Sequence, residues 1–138
     1  DEEIQQRTGV SITHTFDVEG EAGFRQREAS VIHNLVQLDN IVLATGGGTV
    51  LDKENRAALC QNGVVVYLKS SVHDLWQRTR HDRSRPLLQT ADPYAKLKAM
   101  YEQRDPLYME VANLVVPTGK QSAQNLVYHL QQELNQFS

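Results

Sequence analysis

The chain has 138 residues, 22% of them charged and 40% hydrophobic, with a net charge of −3. That is the composition of one soluble globular domain large enough for a core, and it gives no general pull toward nucleic acid. No apolar run approaches the roughly 18 residues of a membrane span, and the single Cys60 cannot close an internal disulfide, which suits a reducing compartment.

Taken in chain order, Asp1 to Arg7 predict a helix stopped at Gly9. The chain opens inside that helix without a methionine, as a piece of something longer would. Val10 to Glu19 predict a helical turn or loop. Glu21 to Leu38 predict the clearest helix, with Phe24, Val31, Ile32, Leu35 and Val36 on one face and acidic residues at its start. Arg25 points away from the centre of that stripe and, by itself, reads as a solvated surface charge.

Ile41 to Ala44 form a short continuous apolar run, the pattern of a parallel strand buried on both faces. It stops at Gly46, Gly47 and Gly48. Residues without Cβ atoms let backbone N–H groups come close to a ligand, and in open α/β sheets ligands collect beyond the carboxyl ends of strands. The plainer reading is a flexible turn. It is not a Walker A loop, because no Gly-Lys-Ser/Thr follows.

Asp52 predicts the cap of a helix to about Gln61, closed by Gly63, in which Cys60 reads as a small buried apolar residue. Val64 to Leu68 predict a second strand, and Ser71 with Asp74 the cap of a helix from Val72 to about Arg80, with Trp76 as a packing residue. Four arginines then fall in eight residues (Arg78, Arg80, Arg83 and Arg85) before Pro86. Such a run is either a solvated loop or a mobile clamp for a polyanion. Asp92-Pro93 predict the start of a helix that buries Leu97, Met100 and Tyr101 and is interrupted near Asp105-Pro106. Leu114 to Val116 predict a third strand. Ser122 predicts the cap of a last helix with Leu126, Val127, Leu130 and Leu134 on one face. Strands separated by helices give a single α/β domain, 1–138, with a parallel sheet flanked by helices. The five histidines are scattered, so no metal site made by protein side chains alone is expected.

Five stretches in this order resemble the shikimate kinase family of P-loop, nucleoside monophosphate kinase-like enzymes. They are Asp1-Glu2-Glu3-Ile4 with Arg7-Thr8-Gly9, Gly23-Phe24-Arg25-Gln26-Arg27-Glu28, Ala44-Thr45-Gly46-Gly47-Gly48, Arg85-Pro86-Leu87-Leu88 and Gln103-Arg104-Asp105-Pro106-Leu107-Tyr108. The resemblance covers essentially the whole chain. It implies ATP-dependent phosphorylation of the shikimate 3-hydroxyl in aromatic amino-acid biosynthesis, with Mg2+, in a cytoplasmic monomer that binds neither nucleic acid nor membrane. By family match, Arg25 and Arg104 grip the shikimate carboxylate, and Asp1 orients or deprotonates the attacking hydroxyl. Gly46, Gly47 and Gly48 line the substrate, Arg85 in a 79–93 lid clamps the phosphates, and Arg78 and Gln121 lie near the nucleotide base. Two departures accompany the match. Only the second aspartate of the family's Asp-Ser/Thr-Asp motif is present, as Asp1, and the Walker A loop with its lysine and Mg2+-binding hydroxyl is absent. The implied strand order is 2-3-1-4-5, with the strand leading into the P-loop missing from the middle. On that reading the 138 residues alone are neither active nor stable as a monomer. Two alternatives stay open: an inactive fragment keeping part of the shikimate site, and a related small-molecule kinase such as one for gluconate.

Overall fold

A computed structural model describes residues 1–9, 12–80, 91–119 and 121–137, with the backbone alone for Thr8, Ile12 and Thr13. Helix α1 (Glu2–Thr8) starts at Asp1 and ends on Gly9 in the left-handed conformation, as its sequence predicts. Helix α2 (Ile12–Leu35) takes in the stretch before Gly20 as well as the predicted helix after it. The two parts meet at Gly20, whose φ of 73° and ψ of −178° are open to glycine alone at low cost. This break turns Phe16 back onto Phe24, with ring centroids 4.8 Å apart. Ile4, Phe24 and Val31 form the buried cluster that binds α1 to α2, with Phe16 and Leu35 packed at its side. Periodicity alone thus locates the inner face of α2, and the buried Phe24 fixes where Arg25 must emerge.

The segment after α2 departs from expectation. Ile41 to Thr45 run without regular structure and enter no β-ladder, and they are not buried on both faces: Val42 is 100% exposed and Ile41 44%. A strand exists through its partners, and among the described residues this one has none. The glycines that follow form a five-residue 3-10 turn (Gly47–Leu51), which leads through Asp52 into α3 (Lys53–Asn62). Asp52 accepts from the Glu54 N–H, the capping bond expected of it. Cys60 corrects a second expectation, being exposed on α3 rather than buried.

Strand β1 (Val66–Lys69) pairs in parallel with β2 (Leu114–Pro117), Val66 opposite Leu114 and Lys69 opposite Pro117. Between them lie α4 (Val72–Thr79) and α5 (Pro93–Val111), and α6 (Ala123–Leu134) follows β2. Ser71, Asp92 and Ser122 each cap the helix they precede with a side-chain oxygen. Helix α5 corrects a third expectation, because it runs through Pro106 without interruption. Proline removes one ladder bond and crowds the preceding turn, yet here Asp105 and Tyr108 on either side of it are anchored to Tyr67 and Gly47, and the helix continues. The result is an α/β fold whose parallel strands carry helices, with the apolar edge of β1 open at Leu68, 52% exposed.

Candidate active site

The 3-10 turn is where the elements converge, since α2, α3 and α5 all pack against it. Short turns leave carbonyl oxygens without backbone partners, and here side chains from two helices take them up. Asn55 donates through Nδ2 to the Thr49 carbonyl at 3.1 Å, and the Arg56 guanidinium donates to the Val50 carbonyl at 2.7 Å. Arg56 is itself held by Glu110 at 2.8 Å. Thr49 is 0% and Asn55 1% exposed, so the base of the turn is a buried polar knot.

The outer side of the turn meets charge. The Arg25 guanidinium lies so close to Gly48 that a Cβ there would overlap it. This is the physical reason for glycine at 48: the side chain is excluded so that a cation can pack on the backbone. Beside Gly47 stand the Arg104 guanidinium and the Tyr108 hydroxyl, at 3.4 and 3.0 Å from where a Cβ would sit. Beside Gly46 stand the carboxylates of Asp1 and Glu28, at 3.1 and 3.4 Å from the same notional atom. Asp1, Arg25, Arg104 and the three glycines are therefore brought together from positions up to 103 residues apart in sequence.

Two further residues belong to this arrangement and had been given no role from sequence. Glu28, only 2% exposed, accepts from Arg25 at 2.9 Å and fixes its orientation, with Glu21 at 3.7 Å on the far side. Tyr108 donates its hydroxyl to the Gly47 carbonyl. Spacing carried both signals: Arg25 and Glu28 stand three apart on one helix, Arg104 and Tyr108 four apart on another, so each pair shares a helix face.

The electrostatics are those of a site built for an anion. Arg104 is 8% exposed, and no carboxylate pairs with it among the described residues. Burial pulls its guanidinium below the ordinary value, Tyr108 opposes this, and the neighbouring Arg25 cation adds to it. The Nε groups of both arginines are buried without a hydrogen-bond partner. A buried cation with unused donors is costly unless a negatively charged acceptor reaches it, and guanidinium forks suit a carboxylate.

The other predicted residues fall elsewhere. Arg78, near the end of α4, donates to Ser70 just beyond β1 at 3.4 Å, and Gln121 donates to the Pro117 carbonyl at the end of β2 at 2.6 Å. A hydrogen bond between Ser70 and Thr118 ties those two strand ends together. Arg78 and Gln121 thus lie at the carboxyl end of the sheet, where ligands of open α/β folds bind. Arg85 and most of the 79–93 lid lie outside the described residues.

Fold and site together define a parallel α/β protein in which two guanidiniums with unused donors converge on a glycine turn. The shikimate kinase family model matches residues 1–135. The chain is 55% identical over 134 residues to the shikimate kinase of Nitrosospira multiformis, covering 97% of this chain and 69% of that protein. It is 59% identical over 127 residues to that of Burkholderia lata, covering 92% and 69%. Among solved structures, shikimate kinase from Acinetobacter baumannii in complex with shikimate superposes with a TM-score of 0.95 at 42% identity, over 100% of this chain and 77% of that one. The Aquifex aeolicus shikimate kinase gives 0.83 at 30% identity, over 98% and 78%. The chain belongs to the shikimate kinase family, enzymes that use ATP, generally with Mg2+, in aromatic amino-acid biosynthesis.

Proposed function

We propose that this chain binds shikimate at the glycine turn and transfers the ATP γ-phosphoryl group to its 3-hydroxyl. The observation that carries the reading is the ring of groups around Gly46, Gly47 and Gly48: two guanidiniums with unused donors on one side and the Asp1 carboxylate on the other. In this reading Arg25 and Arg104 hold the substrate carboxylate, and Asp1 takes the proton of the attacking hydroxyl. The hydroxyl oxygen bonds to the γ-phosphorus as the bond to the β–γ bridging oxygen breaks, and ADP leaves. Such a reaction relies on positioning and charge neutralisation, with little covalent work for the protein.

The nucleotide half is argued separately. Arg78 and Gln121 stand at the strand ends beside which the base would lie, and Arg85 would close over the transferring phosphate from the lid. Among the described residues no three His, Cys, Asp or Glu side chains gather into a metal site. No Gly-x-x-x-x-Gly-Lys-Ser/Thr loop occurs in the sequence either. The unpaired Ile41–Thr45 segment and the open edge of β1 support one more parallel strand seated between them, as in the order 2-3-1-4-5, which would bring the phosphate loop to the acceptor. In this reading the protein is a monomeric cytoplasmic enzyme.

The test is ADP release in a coupled assay with ATP, with and without shikimate, on the enzyme and on its Arg85→Ala variant. We expect shikimate-dependent turnover, and in the variant a fall in kcat of about a hundredfold or more with the shikimate Kd unchanged, as for loss of a transition-state charge clamp. Turnover indifferent to shikimate would overturn the substrate; kcat within about twofold in Arg85→Ala, well short of a clamp's contribution, would remove Arg85 from the chemistry.

A further inference from the structure

Tyr108 occupies a place that the reaction as proposed does not use. Its hydroxyl donates to the Gly47 carbonyl, across 61 residues of sequence, and stands beside Gly47 together with the guanidinium of Arg104, one helical turn earlier on α5. Its ring packs on Tyr67 with centroids 4.8 Å apart. Tyr67 in turn donates to Asp105 at 2.6 Å, and Asp105 lies 3.5 Å from the Lys69 ammonium. Of the side chains that hold carbonyls of the glycine turn, Asn55 and Arg56 grip its buried base at Thr49, Val50 and Leu51. Tyr108, unlike them, holds the turn at Gly47, where the Arg104 guanidinium of the acceptor site also lies.

We infer that Tyr108 is a positioning residue, fixing the glycine turn and Arg104 relative to one another and so setting the affinity for the acceptor carboxylate. This rests on the proposed shikimate site. The hydroxyl has one hydrogen to give and lone pairs to accept with, so it can join a carbonyl and a guanidinium that would otherwise only share a neighbourhood. Without it, the Gly47 carbonyl loses its donor and Arg104, already buried, loses a polar neighbour, so both relax away from the geometry the carboxylate needs. In this role it is given no contact with the reacting oxygen or phosphorus, so the effect is on binding. The Tyr67 ring and the Asp105–Lys69 pair brace it from β1, which makes the acceptor site sensitive to the sheet.

Tyr108→Phe tests this, because it removes the hydroxyl and keeps the ring against Tyr67. Shikimate and ATP are titrated separately into the wild-type and variant enzymes, with steady-state kinetics and thermal melting alongside. We expect the shikimate Kd and KM to rise about tenfold, kcat to stay within about twofold, the ATP KM to stay unchanged and the Tm to move by only a few degrees. An unchanged shikimate Kd in the variant, with the wild type binding normally, overturns the inference and leaves the proposed function intact. Equal losses for shikimate and ATP together with a lowered Tm overturn it too, since they mark a residue that merely holds the fold. Failure of the wild-type enzyme to bind shikimate overturns the proposed function and this inference with it.

Discussion

The glycine turn and the apolar segment that leads into it are joined end to end, yet they are held in opposite ways. From Gly46 to Leu51 every carbonyl that a side chain secures is gripped from α3 or α5, and the flanking guanidiniums are paired or buried. From Ile41 to Thr45 no backbone ladder forms, and Val42 is wholly exposed. The difference lies in where the partners come from. A site made of helix-borne side chains is completed by helices that fold locally and dock, whereas a strand is completed only by another strand. The acceptor site can therefore be fully formed beside a sheet whose edges are open.

The largest effect that would break this contrast is at Gly48. If the turn is as firmly held as its side-chain bonds suggest, the methyl of Gly48→Ala must displace the guanidinium rather than the turn. We expect shikimate affinity to fall by about a hundredfold while the Tm changes by only a few degrees, because the displaced group is the end of a side chain and no buried knot is opened. Arg25→Lys should lose a similar amount, having no second prong for the carboxylate. Equilibrium titration beside a melt decides both. A large loss of stability in Gly48→Ala with unchanged affinity would mean that the turn, and not the arginine, gives way.

These contacts also show what sequence could and could not reveal. The helix caps at Asp52, Ser71, Asp92 and Ser122 were legible because each is a local bond between a side chain and a backbone N–H two or three residues on. The buried stripe of α2 was legible for the same reason. Pro106 misled because the local cost of proline is visible in sequence, while the contacts of Asp105 with Tyr67 and of Tyr108 with Gly47 are not. Cys60 misled because apolar neighbours in sequence do not say which side of a helix faces in. Ile41–Ala44 misled differently: the run has the composition of a buried strand, and the described residues bring nothing to bury it. At the site, Arg25, Arg104 and Asp1 came from the family resemblance. Their convergence on three glycines needed the fold.

A smaller effect sharpens the comparison from the side of the open segment. Val42 and Val18 are both exposed, at 100% and 68%, but only Val42 belongs to a run with the pattern of a buried strand. If a further strand seats beside it in the enzyme, Val42→Asp should lower unfolding free energy by about 2 kcal/mol, the order of a lost buried valine. Val18→Asp, on the surface of α2, should stay within about 0.5 kcal/mol. Urea unfolding of the two variants gives the answer. Equal, small changes would mean that the segment stays bare and that no strand is seated there.

The smallest expected effect is in alkali, and it belongs to the braced side of the contrast. Burial pushes the Tyr67 phenol up, helped by its hydrogen bond to Asp105, and burial pushes the Tyr108 phenol up against the opposing pull of Arg104. Both are donors in the folded protein, so folding favours their protonated forms. A group whose folded value is raised contributes stability that is complete below its unfolded value, near 10 for tyrosine, and is lost as pH rises from there through the folded value. The Tm of the wild-type enzyme should accordingly be flat in this respect up to about pH 9.5 and fall by a few degrees toward pH 11. Tyr67→Phe should start from a lower Tm, having lost the bond to Asp105, and fall less steeply over the same interval. Tyrosinate absorbance followed with the melt separates ionisation from unfolding. Identical slopes in wild type and variant would show that the Tyr67–Asp105 bond does not couple the brace to proton binding, and the link from β1 to the acceptor site would rest on packing of the two rings alone.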